Sequence, residues 1–258
     1  MSFSPVIDAL GIPPNALVEQ RVPKKLLLEH GAPTVADKRQ IQDGIAEMIW
    51  VAALKPTNIA VPAFRDDVRE YVEIAVLAIT LRSDAKPTHL VELIHRAIPY
   101  PLMLVAAQGD RVGLSLAHKR WSQGEAGKVV IEDVQRTTPF RPDAPTREEA
   151  EFLTSVAVAN LPSRDLFMLY QGWIDRVAAL EAARITGAFA PPDSSDRSSA
   201  LRVGLNNYVR LQRDIAVLRA QAAKEKQINR RVELNLEIKR LQAELAAAEE
   251  SLRPGVAQ

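Results

Sequence analysis

At 258 residues with 47% hydrophobic composition, the chain is long enough for one sizeable core or for a compact domain with an extension, and its patterning favours the second. Basic and acidic residues nearly cancel, 33 against 32, so attraction to nucleic acid or membrane must come from local patches and not from overall charge. Cysteine is absent, which excludes disulfides, thiolate zinc sites and cysteine nucleophiles; together with a start lacking the basic and apolar runs of a secretion signal, and no stretch near the roughly 18 apolar residues of a membrane span, this reads as a soluble cytoplasmic protein.

Thr34, with Asp37 three residues on, opens a helix predicted to run to Leu54, with apolar side chains at Ile41, Ile45, Met48, Ile49 and Ala52 and Pro56 as its stop. A short β-branched run, Thr57 to Phe64, precedes a stronger strand from Val68 to Arg82. Its centre, Ile74 to Ile79, is apolar at every position, the pattern of a strand covered on both faces. A helix from about Pro87 to Ile98 follows, stopped by Pro99 and Pro101. Three more strands are predicted: Tyr100 to Ala107 and Arg111 to Lys119 flank the hairpin turn Gln108-Gly109-Asp110, and Lys128 to Arg136 follows the loop Ser122 to Gly127. These elements predict an α+β domain over 1–138, a mixed and largely antiparallel sheet of about five strands with packed helices.

Beyond Thr137 the character changes. Pro139 to Pro145 breaks the sheet pattern, and residues 139–200 read as a helical region ending in a flexible connection. Thr146 with Glu149 forms a capping box for a helix to about Asn160. Ser163 can cap a second helix carrying Leu166, Tyr170, Trp173, Val177 and Leu180, ended by Gly187. Ala190 to Ala200, with two prolines and four serines, reads as flexible.

Residues 201–258 form a long amphipathic helix of coiled-coil type. Leu211, Ile215, Leu218 and Ala222 keep heptad spacing, as do Leu234, Ile238, Leu241, Leu245, Ala248 and Leu252, but the phase slips around Ala223 to Arg231. Without proline or glycine between Asn206 and Arg253, a single rod is expected, with a hairpin turning near Glu225 to Asn229 as the alternative. From Leu201 to Arg231 the net charge is +6, and from Val232 to Leu252 it is −3. Two copies paired antiparallel would set basic against acidic halves, so an antiparallel homodimer is the favoured self-association, docking on a partner enzyme or folding back on the helices from Thr146 to Thr186 being the alternatives.

Chemistry is sparsely marked. His89, Glu92 and His95 share a helix but not the four-residue step that places two imidazoles on one metal, and His30 and His118 stand alone, so no metal site and no cofactor is expected. No glycine-rich phosphate cradle or Gly-x-Ser-x-Gly elbow occurs. A metal-dependent nuclease would need clustered carboxylates beside a lysine; Asp66 or Asp67, Glu73 and Lys119 are the candidates, with Glu70 and Glu132-Asp133 on neighbouring strands, but no Glu-x-Lys pair holds them together. Candidate nucleic-acid contacts are Lys24 and Lys25, with Lys38 and Arg39 nearby; Lys119 and Arg120 at a strand end after His118; and Arg210, Arg213, Arg219, Arg230 and Arg231 on the terminal helix. The ordinary reading of each is a solvated face.

Five segments carry a family resemblance. Val22-Pro23-Lys24-Lys25-Leu26, Ala36-Asp37-Lys38, Glu47-Met48-Ile49-Trp50 with Leu54-Lys55-Pro56-Thr57, Ala97-Ile98-Pro99-Tyr100-Pro101 and Lys224-Glu225-Lys226-Gln227-Ile228-Asn229-Arg230 together resemble a bacterial family known as domain of unknown function 4391. The resemblance transfers no activity residue by residue. It implies an accessory protein of the kind encoded beside helicases and DNA methyltransferases in bacterial defence clusters. With the residue reading, it makes the expected function that of a non-catalytic accessory subunit acting through protein contacts and nucleic acid, with a cryptic nuclease as the alternative.

Overall fold

The computed structural model describes residues 3–124 and 129–255, apart from the side chain of His30. The chain divides into two compact units, residues 1–177 and 178–258, a division that coincides with neither of the expected boundaries after 138 and after 200.

In the first unit, α1 (Ser4–Ala9) leads to the edge strand β1 (Leu17–Arg21), then α2 (Lys25–His30) and α3 (Val35–Gly44). The expected capping box is present: Thr34 Oγ1 accepts from the Asp37 amide at 3.1 Å while Asp37 Oδ2 accepts from the Thr34 amide at 3.2 Å. The helix does not reach Leu54. It ends at Gly44 and passes without a loop into β2 (Ile45–Leu54), because positions 45 to 54 pair along their length with a neighbouring strand. Gly44 permits the junction, since a Cβ there would lie 2.7 Å from Leu90 Cδ1.

The short α4 (Pro56–Ile59) replaces the predicted strand at Thr57, and β3 (Phe64–Arg65) and β4 (Glu70–Tyr71) form a small ribbon. The expected strand over Val68 to Arg82 is thus split, and its apolar centre is β5 (Ile74–Leu81), buried at every position from Ile74 to Ile79. Next come α5 (Pro87–Ala97), β6 (Leu102–Gln108) and β7 (Arg111–Leu116), the last two joined by the expected turn with Gly109 at φ +62°. Then follow β8 (Lys119–Trp121), β9 (Val129–Ile131) and β10 (Gln135–Arg136); Lys128, the expected start of the last strand, and Glu125 to Gly127 of its loop lie outside the described residues.

The main sheet has six strands in the order β1-β2-β5-β6-β7-β10. Only β5 and β6 run parallel, because α5 carries the chain across between them. The fold is α+β as expected, one strand larger. Leu27, Ile41, Leu90, Val91 and Ile94 from α2, α3 and α5 pack one face of the sheet against Ala75, Leu77, Ile79 and Leu104. The unit continues through α6 (Arg147–Ser155), which begins with the Thr146–Glu149 capping box, into α7 (Leu166–Thr186), whose range crosses the division at 177. Asp165, not Ser163, caps α7: its Oδ1 accepts from the Met168 amide at 2.8 Å. Trp173 is fully buried and donates from Nε1 to the Val156 carbonyl at 2.8 Å.

In the second unit the expected rod is two helices, α8 (Ser195–Lys224) and α9 (Ile228–Ser251). Ser194 caps α8, so part of the segment expected to be flexible is helical. Glu225 and Gln227 adopt extended backbone angles, and Glu225 Oε1 accepts from the Gln227 amide at 2.8 Å, turning the chain without glycine or proline. The helices pack antiparallel on each other. Leu211, Ile215 and Ala222 meet Leu234, Ile238, Leu241 and Ala248, and a Cβ on Gly204 near the start of α8 would lie 2.9 Å from Leu252 beyond the end of α9. Both predicted heptad seams are therefore used within one chain. The ion pairs of Arg210 with Asp214, Arg230 with Glu233 and Arg240 with Glu237 and Glu244 each stay on one helix, so the apolar seam and not cross-helix charge pairing joins the two.

Candidate functional site

Strands β6 and β7 pair antiparallel as far as Met103 and Leu116. At the next position the ladder is interrupted, because the Tyr170 hydroxyl, fully buried on α7, donates to the Leu102 carbonyl at 2.7 Å and accepts from the Ala117 amide at 2.9 Å. It satisfies the two groups that a backbone bond would otherwise join. From there the chain leaves the main sheet as β8 and pairs with β9 instead. His118 is buried at this corner, its Nδ1 hydrogen-bonded to the Tyr71 hydroxyl and its Nε2 2.7 Å from Gln171 Oε1, with the Phe167 ring 5.0 Å away. Burial pushes the Tyr71 and Tyr170 hydroxyls well above the ordinary phenol pKa, so both act as neutral hydrogen-bonding groups.

Leaving the sheet turns Lys119 inward. The residue is 4% exposed and its amine donates to the Ile98 carbonyl at the C-terminal end of α5, where unpaired carbonyls and the helix dipole favour a cation. Burial lowers its pKa to about 7, and no carboxylate among the described residues opposes the shift.

Lys119 lines a cavity of about 590 Å³, within the size range of small-molecule pockets. Met48 and Trp50 of β2 and Ala75 and Leu77 of β5 form its sheet side; Leu26, Leu27 and the turn Ala97 to Tyr100 frame it opposite, with Val129 and Ile131 of β9. Its polar side chains are Lys119, His95, Arg96 and Tyr100, and among the described residues that line it there is neither aspartate nor glutamate. His95 is fully buried; its Nε2 lies 3.0 Å from Ser115 Oγ and its Nδ1 has no partner among the described residues. Burial first, and then the Lys119 charge, lower its pKa to about 3, so it is neutral near pH 7.

The other candidates are dispersed. His89 pairs with Asp37 at 2.7 Å while His95 turns to Ser115, so the two histidines of α5 have separate partners. Among the described residues no three of His, Cys, Asp or Glu converge on a metal position. Glu73 pairs with Lys55 at 3.0 Å, Glu132 with Arg69 at 3.1 Å, Glu70 with Arg65, and Asp66 accepts from the Val68 and Arg69 amides. The combination of Asp66 or Asp67, Glu73 and Lys119 is not assembled.

Of the expected nucleic-acid contacts, Lys119 is buried, with its amine bonded to the Ile98 carbonyl and not presented at the surface. Its neighbour Arg120 is half-buried. Lys24 donates to the Gln42 carbonyl at 2.9 Å, and burial, then the Arg82 charge, depress its pKa; Lys25 pairs with Glu29 at 3.6 Å. Arg210 and Arg230 are exposed but paired within their helices, whereas Arg213, Arg219 and Arg231 are exposed without an ion pair among the described residues. The hairpin also carries apolar side chains turned away from its seam: Ile228, Val232 and Leu236, each four residues apart on α9, are 68%, 52% and 65% exposed.

Residues 10–245 match the model of the family described as Domain of unknown function (DUF4391). The chain belongs to that family. No curated protein and no solved structure matches it. Within this DUF4391 chain, among the described residues, no helix is long and apolar enough to cross a membrane. From sequence His95 enters only as a weak metal candidate beside His89 and Glu92, and the Ile98 carbonyl not at all, although His95 falls four residues after Val91 on the apolar stripe of α5, a placement that signals a buried imidazole.

Proposed function

We propose that this DUF4391 protein is a non-catalytic accessory subunit of a bacterial DNA-targeting defence assembly in the cytoplasm, and that it docks on a helicase or DNA methyltransferase through its helical hairpin. One observation carries the reading. The hairpin has already buried its inner seam, yet Ile228, Val232 and Leu236 remain exposed on the outer face of α9 at the spacing that lines one side of a helix. A stripe of this kind suits a partner helix or groove. Arg213, Arg219 and Arg231, exposed on the same hairpin, would supply contacts to the nucleic-acid backbone once docked.

The test is recovery of the tagged full chain from its own host with identification of what accompanies it. A helicase or DNA methyltransferase should accompany the wild type and be lost from a Val232→Glu, Leu236→Glu variant with unchanged helical content. Recovery of neither enzyme, or equal recovery by the variant, overturns the proposal. The nuclease alternative gains no support from the geometry, because Asp66, Glu73 and Glu132 each engage other groups and no acidic cluster forms among the described residues.

A further inference from the structure

We propose that the cavity beside Lys119 is a binding site for an organic carboxylate with an apolar body. Three observations lead there. The first is a mismatch of charge: a buried ammonium-bearing side chain, with Arg96 also lining the cavity, faces walls from Met48, Ala75 and Leu77 and no acidic group among the described lining residues. A buried cation is ordinarily paired, and among the described residues that line the cavity no anion pairs it.

The second is a surplus of donors. An ammonium has three N–H groups, and the Ile98 carbonyl takes one. The third concerns His95. Ser115 is buried, and His95 is the hydrogen-bond partner of its hydroxyl. Donation from that hydroxyl to Nε2 leaves one group unmet; the opposite arrangement would strand the serine proton as well. The proton of the neutral imidazole therefore sits on Nδ1, a fully buried donor without a partner among the described residues, in a side chain that lines the cavity. Lys119 and His95 both line the cavity, and the Lys119 charge disfavours protonation of His95. A carboxylate accepts from both through two oxygens, while the apolar remainder occupies the space along Trp50 and Leu77 toward Leu26 and Tyr100.

The experiment titrates the full chain with three probes of one chain length, laurate, dodecanol and dodecylamine, below their micelle-forming concentrations, by calorimetry and by tryptophan fluorescence. Laurate is expected to bind at least about tenfold more tightly than dodecanol, with dodecylamine weakest. In Lys119→Met, a side chain of similar reach without the donors, the preference for laurate over dodecanol should vanish while binding of dodecanol persists. A flat ranking, an equal or tighter amine, or no binding by any probe overturns the proposal, as does an undiminished preference for laurate in the variant. The ranking of the three probes on the wild-type chain needs no variant and so stands even if Lys119→Met does not fold. None of these outcomes touches the hairpin or its partner.

Discussion

Lys119 caps the C-terminal end of α5 by donating to the Ile98 carbonyl, so a lysine from one strand closes a helix that ended some twenty residues earlier in the chain. Burial lowers the folded-state pKa to about 7, against 10.5 for the free side chain. Between those values the unfolded chain binds more protons than the folded one, so stability must rise with pH across that window. The other titratable side chains among the described residues lining the cavity are His95, held neutral, Arg96 and Tyr100. Replacement by methionine removes the titration. The stability advantage of Lys119→Met over the wild type should therefore shrink by on the order of 3 kcal/mol between about pH 6 and about pH 9, measured by urea unfolding. A constant difference would contradict the depressed pKa.

Tyr170→Phe keeps the ring and removes the hydroxyl that stands between Leu102 and Ala117. Both buried backbone groups lose their partner, a cost of about 1–3 kcal/mol. The urea midpoint should fall with its slope unchanged, and the Ala117 amide should exchange its hydrogen faster.

Gly31 marks a close approach of α2 to α5. A Cβ there would lie 2.5 Å from Ala97 Cβ and 3.0 Å from the Leu93 carbonyl. Gly31→Ala should cost about 1–3 kcal/mol by overpacking, and Ala97→Gly in the same chain should recover part of it. Because Leu26, Leu27 and Ala97 all line the cavity, the single variant should also alter laurate affinity. Thermal unfolding and titration of the two variants check both points.

On α9, Ile238 belongs to the seam and Leu236 does not. Ile238→Ala should destabilise the hairpin by about 2–5 kcal/mol, whereas Leu236→Ala should stay within about 0.5 kcal/mol. Circular dichroism melts distinguish the two, and equal losses would refute the assignment of faces.

The elements that could be read from sequence were those whose local pattern admits one interpretation. In β5 the unbroken apolar run at Ile74 to Ile79 required cover on both sides, and the cap residues Thr34 and Thr146 each sit at a helix start. In β2 Ile45, Met48 and Ile49 continue the helical period that Ile41 carries in α3, and only pairing with β5 decides for a strand. The edge strand β1 has four exposed positions in five and so no alternation to read. At the site, Lys119 resembles a solvated strand end because nothing local hides it. Its cover comes from the end of α5 and from a sheet opened by Tyr170, contacts distant in sequence. The turn at Glu225 to Gln227 lacks glycine and proline, so the slip of heptad phase was its one signal.

That turn has a consequence for assembly. Tethering α8 to α9 through three residues gives the seam partners a high effective concentration, so one chain outcompetes a second copy for its own seam. If residues 225–227 became helical, the same seam could close only between two molecules. The antiparallel homodimer of rods expected from the sequence is thus the domain-swapped form of the hairpin. Replacing Glu225, Lys226 and Gln227 by alanine should shift the light-scattering mass toward twice that of a monomer, with little change in helical content. An unchanged mass would mean that the seam, and not the turn, holds the hairpin closed.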